Sequence, residues 1–342
     1  MARRVTIADV AERLGLSKAS VSYALNDQPG VSPETRRQVR EMAAQLGWYP
    51  SSSARALSRA KTGAIGLVLS RDPDVIGTEP YYMRAMAGIE SVLVAADMGL
   101  MLRIVGTDPG RDLAIYERWA GERRVDGVIL FDQREDDPRL PLVTRLGLPA
   151  VLNGGPATGS AVPSVTSDAR ADAAQVVAHL RALGHRQVLH VTGPTRFMHE
   201  RRRAAALRES AAEQGMEVES LESDYTFEAA ALTVARRLGD GPAPTAMVFG
   251  NDLMALGGLD AAVDAGLAVP ADLSVVSWDD SMLCRVANPP VTALDRDAFE
   301  FGRLAATMLL QVMAGAAPED VVTPPSRLVV RASTSTARAA TV

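Results

Sequence analysis

Lys18, Ala19, Ser22 and Tyr23 are spaced to share the outer face of a short helix whose inner positions are Val21, Ala24 and Leu25. An exposed short helix carrying a cation and hydroxyl groups suits the major groove of DNA. Other groups capable of chemistry are scattered. His179, His185, His190 and His199 fall within about twenty residues without the paired spacing to carboxylates that a metal site needs. Cys284 is a single cysteine, so an internal disulfide and a Cys-rich zinc site are excluded. The chain has no G-x-G-x-x-G after its first strand, no phosphate loop of the G-x-x-x-x-G-K-[ST] type, no G-x-S-x-G and no H-E-x-x-H. No catalytic residues, metal or cofactor are therefore expected, and an enzyme is not. His185, in LGHRQV, reads as a helix end, where a cation suits the dipole.

The elements that must position the outer face are read from their caps. Thr6 with Asp9 three residues on is a capping box, and Ile7, Val10, Ala11 and Leu14 then fall on one side of a helix that Gly15 ends. Ser17 caps the helix of Lys18. Ser32, followed by Pro33, opens a third helix with an apolar stripe of Val39, Met42, Ala43 and Leu46 before Gly47. Such a bundle could bind protein or nothing, but its charge argues otherwise. Residues 1–61 hold ten Lys/Arg against five acids, a net +5, whereas the whole chain is −5, which leaves −10 for residues 62–342. A basic head on an acidic body is the distribution of a polyanion-binding module.

The 342 residues, 47% hydrophobic and 23% charged, are enough for two or three folded domains. No apolar run approaches the roughly 18 residues of a membrane span, and the start MARRVTIADVAE is unlike a signal peptide, so a cytoplasmic location is expected. The two Lys against thirty-four Arg read as coding bias. Beyond residue 61, AIGLVLS (64–70), LMLRIVG (100–106), GVILF (127–131) and PAVLN (149–153) are strand-like and separated by helical spacing. A second set runs from a helix at 168–183 through QVLHVTG (187–193), a helix at 200–214, TAMVFG (245–250) and a helix at 252–265 to LSVVSW (273–278). This predicts a small all-α helix-turn-helix head plus an α/β body of two doubly wound parallel-sheet subdomains. Ligands in such sheets sit outside the carboxyl ends of the strands, so two facing units make a cleft.

The chain resembles the LacI/GalR family of transcription regulators. The residues carrying the likeness are VTIADVAERLGLSKASVSYALN, VSPETRRQVREMAAQLGWYPSSSARAL, HLRALGHRQVLHVTGP, FGNDLMALGGLDAAVDAGLAVPADLSVVSWDD, NPPVTALDRD and LVVRAST, in order and over nearly the whole length. The resemblance implies a periplasmic-binding-protein-like body with these parts: a DNA-binding domain at 1–49, a hinge helix and linker at 50–61, and an effector-binding and dimerisation domain at 62–335. Within that domain the N-subdomain is expected at 62–158 and 289–318 and the C-subdomain at 159–288 and 319–335, followed by a flexible tail at 336–342. The DNA-binding set is Thr6, Ser17, Lys18, Ala19, Ser20, Ser22, Tyr23, Ser32, Ala54 and Leu57. Lys18 can donate to guanine and Ala19 can touch a thymine methyl; Tyr23, where many relatives have Arg, reads equally as a base or a phosphate contact.

PSSSARALS (50–58) resembles the family's hinge helix, with Leu57 as a minor-groove wedge and Ala54 one turn before it. Plain interdomain packing is the alternative, but four serines in nine residues are too polar for an independent helix. Ser51, where relatives carry Asn, can still cap it. The effector set implied is Arg203, Asn251 and Asp279, with Tyr225 at a stacking position, and Tyr81, Tyr82, Asn153 and His199 standing equally as walls or as ordinary core. A guanidinium, an amide and a carboxylate suit paired hydroxyls, so a sugar or glycoside is the default effector. Asp172 and Ala206 stand where the family often has Gly, so effector identity does not transfer from relatives.

The expected partners are near-palindromic double-stranded DNA, a small-molecule effector and a second copy of the chain, with no membrane. A repressor is the default, and the sign of the switch, inducer or corepressor, depends on which state binds the ligand better. The ending ASTSTARAATV lacks the heptads that join some relatives into tetramers, which favours a dimer. The competing classes are a soluble sugar-binding module without operator specificity and, last, a sugar or nucleotide enzyme.

Overall fold

A computed structural model describes residues 5–49, 61–155 and 160–338. The chain divides into two compact units at residues 63 and 64. Ala54 and Leu57, with most of the predicted hinge, lie outside the described residues.

The first unit is α1 (Ile7–Leu14), α2 (Lys18–Leu25) and α3 (Pro33–Gln45). Each helix starts where its cap dictates. The Thr6 amide and hydroxyl both donate to Asp9 Oδ2, at 2.7 and 2.8 Å, Ser17 Oγ accepts from the Ser20 amide at 3.0 Å, and Ser32 Oγ accepts from the Thr35 amide at 3.1 Å. Gly15 ends α1 with φ 65°, a left-handed position that glycine adopts without steric cost. Val10, Ala11, Val21, Ala24, Val39 and Ala43 form the buried centre, with Leu25 packed half-buried against it.

In the second unit β1 (Ala64–Leu69) leads through α4 (Pro73–Thr78) and α5 (Pro80–Ala95) to β2 (Gly99–Ile104). Next come α6 (Arg111–Gly121), β3 (Gly127–Phe131), α7 (Arg139–Arg145), β4 (Ala150–Asn153) and β5 (Ser164–Ser167). A second run follows: α8 (Ala169–Ala182), β6 (Gln187–Thr192), α9 (Met198–Glu213), β7 (Glu217–Glu222), α10 (Phe227–Gly239), β8 (Ala246–Phe249), α11 (Asp252–Asp264), β9 (Ser274–Ser277) and α12 (Met282–Val286). The chain closes with β10 (Thr292–Asp295), α13 (Ala298–Met313), β11 (Val321–Thr323) and β12 (Arg327–Val329).

Two six-stranded sheets result, ordered β11-β5-β4-β3-β1-β2 and β12-β10-β9-β8-β6-β7. All neighbours are parallel except β10 and β12. The inner strands β1, β3, β4 and β8 are nearly continuous apolar runs because helices cover both faces. On the first sheet α5 and α13 cross so closely that a Cβ on Gly302 would lie 1.9 Å from the Ala85 carbonyl oxygen, and one on Gly88 would lie 1.9 Å from that of Phe299. Only glycine fits at that crossing.

The sheets correct three expected boundaries. β5 and β11, assigned by sequence to the C-subdomain, extend the first sheet beside β4, and β10, assigned to the N-subdomain, joins the second sheet beside β9. The chain therefore passes between the sheets three times, after β5, after β10 and after β11. Sequence order alone does not decide which edge a short strand extends. The start of the expected flexible tail also differs: the Ala337 amide donates to the Leu183 carbonyl at 2.8 Å and Arg338 pairs with Asp272 at 3.6 Å. His185 is no helix-end cation. It is buried between Thr245 Oγ1, Ser274 Oγ and the Ser335 carbonyl, and burial lowers its pKa, which favours the neutral ring.

Candidate ligand cavity and DNA-reading helix

The carboxyl ends of the strands of both sheets converge on one cavity of about 50 Å³, room for a few waters. Arg71 follows β1, Asp132 follows β3, Asn153 and Ser167 end β4 and β5, Asp279 follows β9 and Arg296 follows β10. Glu79, Tyr81 and Tyr82 enter from the start of α5, and His199, Arg202 and Arg203 from the first turns of α9. Tyr225, before α10, completes the aromatic side. Strand-end placement is what a doubly wound sheet offers a ligand.

Charges at the cavity are paired within the protein. Arg71 holds Asp132 with two bonds, Nε to Oδ2 at 2.8 Å and Nη2 to Oδ1 at 2.9 Å, and Tyr82 Oη donates to the same carboxylate at 2.7 Å. Burial alone would raise the Asp132 pKa, but the Arg71 guanidinium holds it well below the usual carboxylate range. Arg203 donates to Glu200 Oε1 at 2.8 Å and to the Gly250 carbonyl at 3.2 Å. Arg296 donates to Asp279 Oδ1 at 2.7 Å. His199 Nε2 meets Tyr225 Oη at 2.8 Å, and burial pushes its pKa down to about 3, so its 3.6 Å approach to Glu200 is not an ion pair at neutral pH.

The cleft is held closed across its two walls. The Arg71 guanidinium, carried by the first sheet, stands 4.0 Å from the ring centre of Phe197 and 4.3 Å from that of Tyr225, both carried by the second. The Met198 amide donates to the Gln133 carbonyl at 2.8 Å, and Arg201 pairs with Glu135. A hexose needs more room than this arrangement leaves, so admitting one requires these cross-cleft contacts to open. Tyr225 sits at φ 76°, a left-handed conformation that costs a bulky residue on the order of 1 kcal/mol or more.

Seven of the eight expected effector residues line the cavity: Tyr81, Tyr82, Asn153, His199, Arg203, Tyr225 and Asp279. Asn251 is the exception, lying beside the cavity and not on its wall. It is buried as the cap of α11, its Oδ1 accepting from the Met254 amide at 2.8 Å and its Nδ2 donating to the Tyr225 carbonyl at 3.3 Å. Its place is behind the wall, fixing the strained tyrosine. Sequence reading missed Arg71, Glu79, Asp132 and Arg296. The strand-end rule could have found Arg71, Asp132 and Arg296; Glu79, at a helix start, had no such signal. Polar groups of three residues at the cavity, Asn153, Glu79 and Arg296, are buried without a hydrogen-bond partner, the last through its Nε. Neither Oδ1 nor Nδ2 of Asn153, 2% exposed, has a hydrogen-bond partner, and Glu79 Oε2 has none either.

In the first unit Lys18, Ala19 and Tyr23 are exposed along α2 and Ser22 is half-buried beside them. Ser17 and Ser20 share a 2.8 Å hydroxyl bond at the helix start, while Thr6 and Ser32 serve their own caps. Asn26 Nδ2 donates to the Ser22 carbonyl at 3.0 Å. The outer face of α2 is therefore available, as its spacing predicts.

Comparison with known proteins agrees with both halves. The profile of bacterial regulatory proteins of the lacI family matches residues 6–51, and that of the periplasmic binding protein-like domain matches residues 177–334. The chain is 30% identical over 327 residues to the HTH-type transcriptional regulator CelR of Thermobifida fusca, covering 93% of this chain and 95% of that one. It is 28% identical to the catabolite control protein A of Priestia megaterium over 96% of this chain and 99% of that one. Among solved structures, the lac repressor dimer bound to operator and an anti-inducer superposes with a TM-score of 0.84 at 27% identity, covering 97% of this chain and all of that one. A CelR–cellobiose complex does so with a TM-score of 0.74 at 28% identity, covering 96% and 100%. With its capped reading helix, its two doubly wound sheets and relatives matched from end to end, this chain belongs to the LacI family of DNA-binding transcriptional regulators.

Proposed function

We propose that the protein is a cytoplasmic, dimeric repressor whose affinity for a near-palindromic operator is set by a sugar or glycoside bound between the two sheets of its body. The observation that carries the ligand half is Asn153: an amide buried at a strand end with both polar atoms unpartnered has the donor and acceptor that a sugar hydroxyl uses. Tyr81, Tyr82, His199, Arg203, Tyr225 and Asp279 form the rest of the binding wall, with Asn251 holding Tyr225 from behind. No cofactor is needed. Among the described residues no group of three or more His, Cys, Asp or Glu could hold a metal ion, and no helix is long and apolar enough to cross a membrane.

DNA is read by Lys18, Ala19, Ser22 and Tyr23, with Thr6, Ser17, Ser20 and Ser32 at helix starts where backbone amides meet phosphates. Residues 50–61 serve as the hinge, with Ala54 against the duplex and Leu57 as the wedge. The edge strand β2 and α5 beside it leave Leu102, Ile104, Met83 and Val94 exposed, which supports pairing of two bodies along this face. Ligand binding biases the opening of the cleft, and the cross-cleft contacts of Arg71, Met198 and Arg201 are the ones that must rearrange.

Fluorescence anisotropy on a near-palindromic duplex from upstream of the protein's own gene, against a scrambled duplex and across a salt series, tests the proposal. Selective binding with a steep negative salt slope is the expected result, as is a change in affinity when the right sugar is added. Equal weak binding to both duplexes with every sugar tried would move the protein to the class of sugar-binding modules. Leu57→Ala should lose at least tenfold in specific affinity, about 1.4 kcal/mol, while sugar binding persists; full operator affinity would remove the wedge.

A further inference from the structure

We propose that the cleft accepts an uncharged polyhydroxyl ligand and rejects phosphorylated and acidic sugars, and that Glu79 reads this ligand together with Asn153. The inference rests on the sugar-effector reading above and narrows it.

The first ground is charge. The arginines at the cavity whose side chains are only 5–7% exposed, Arg71, Arg203 and Arg296, each already face a carboxylate at 2.7–2.9 Å, with only Nε of Arg296 left over. A phosphate or sugar acid would have to displace Asp132, Glu200 or Asp279, leaving without its partner a carboxylate that is buried in Glu200 and 12–16% exposed in the other two. Arg202 also lines the cavity but is partly exposed at its edge. An uncharged ligand disturbs none of these pairs.

The second ground is the pair of orphaned groups. Asn153 and Glu79 both belong to the first-sheet side, one at the end of β4 and one at the start of α5, and both line the same cavity. Glu79 is 7% exposed and its Oε2 has no partner, which is costly for a carboxylate and suits a carboxylic acid. The groups around it are mixed in sign. Arg71 after β1 favours its ionisation, whereas Asp279 after β9, Asp132 after β3 and Asp252 at the start of α11 oppose it; Tyr82 on its own helix, whose pKa burial raises, stays a neutral phenol. Burial dominates and pushes its pKa up to about 8. At neutral pH Glu79 therefore supplies an O–H donor and an acceptor, and Asn153 an N–H₂ donor and an acceptor, the complement of two neighbouring hydroxyls.

Isothermal titration of the full chain with glucose, ribose, maltose and cellobiose, beside glucose 6-phosphate and glucuronate, from about pH 6.5 to about pH 9.5, tests the inference. The expected result is binding of a neutral sugar and none of the charged pair, with affinity falling about tenfold per pH unit above about 8. Glu79→Gln, which keeps a donor and cannot ionise, should give a flat profile over the same range. Tighter binding of a charged sugar overturns the ligand class. A neutral sugar bound with the same affinity at every pH overturns the role of Glu79. If none of the six binds at any pH, the sugar reading itself falls and takes this inference with it. A ligand-free readout stands beside these: in protein with ¹³C-labelled glutamate side chains, one carboxyl signal should titrate near 8 and vanish in Glu79→Gln. Its titration in the ordinary glutamate range would overturn the inference whatever the sugars do.

Discussion

The helical head and the ligand cavity are held by opposite kinds of bond. In the head, the polar contacts that define the helices join residues three apart: Thr6 to Asp9, Ser17 to Ser20 and Ser32 to Thr35. At the cavity, Arg71 and Asp132 are 61 residues apart, Tyr82 and Asp132 are 50 apart, and His199 and Tyr225 are 26 apart. A cap is formed by a few neighbouring residues and contributes about 1 kcal/mol. Apart from Arg203 and Glu200, one turn apart on α9, such a cavity contact exists only once distant elements have been brought side by side, and breaking an ion pair there leaves a charge largely withdrawn from water. The head's contacts should therefore be individually weak and the body's individually strong.

The largest expected effect is at the turn that carries Asp132. Arg139 is 2% exposed, donates to Asp137 and also holds the carbonyls of Phe131 and Asp132 at 2.8 and 2.9 Å. Arg139→Met should destabilise the body by on the order of 3–5 kcal/mol, measured by denaturant unfolding followed through Trp119 and Trp278. A loss below about 1 kcal/mol would place the Asp137 pair with ordinary surface bridges and weaken the contrast. Next in size, and opposite in sign, is Glu79→Gln. Burial raises the folded-state pKa of Glu79 to about 8 from its ordinary value of 4.5, so the folded chain keeps a proton that the unfolded chain releases. Stability from this group is full below the unfolded value and is lost as pH rises towards about 8. The variant should therefore gain on the order of 1–3 kcal/mol near pH 8, with the difference closing in acid. A variant less stable than the parent at every pH would show that the carboxyl makes a bond the folded chain depends on.

The same contrast governs how much could be read from the sequence. Helix starts in the head were legible because Thr6, Asp9, Ser17 and Ser32 act on their nearest neighbours. The strand–helix alternation of the body was legible too, since each apolar run names itself. The crossing points were not. β5 and β10 are four residues each and extend whichever sheet edge accepts them. At the cavity, Arg203, Tyr225 and Asp279 stand on the wall, whereas the Asn251 amide serves the α11 cap and the Tyr225 carbonyl, a role its place in the sequence does not announce. Arg71 reads in sequence as one more arginine after a strand. Its meaning comes from Asp132 and two aromatic rings of the other sheet.

A single cap is the cleanest probe of the local side. Ser17→Ala removes the acceptor for the Ser20 amide and should cost about 1 kcal/mol in the head, visible as a lower melting temperature of that unit by NMR of its amides. Operator affinity should fall with it, since α2 begins at Lys18. An effect several-fold larger would mean that the head also depends on cooperative pairing.

The smallest effect is expected where the head breaks its own pattern. Asp27 accepts from Arg36 at 3.1 Å and from Arg40 at 2.6 Å, partners 9 and 13 residues away. By distance along the chain this resembles the cavity. By burial it does not, because the Asp27 and Arg40 side chains are 51% and 54% exposed. If separation in sequence were what makes a pair strong, Asp27→Asn should hurt as much as a cavity substitution. If burial decides, the loss should stay below about 1 kcal/mol and shrink further in high salt. Asn keeps the left-handed φ of 56° that Asp27 adopts, and Arg36 retains its 2.9 Å bond to the Gln28 carbonyl, so the substitution removes charge and little else. Thermal unfolding of the head in low and high salt separates the two accounts, and a salt-independent loss above about 2 kcal/mol would show that long-range pairing, not burial, sets the strength of these contacts.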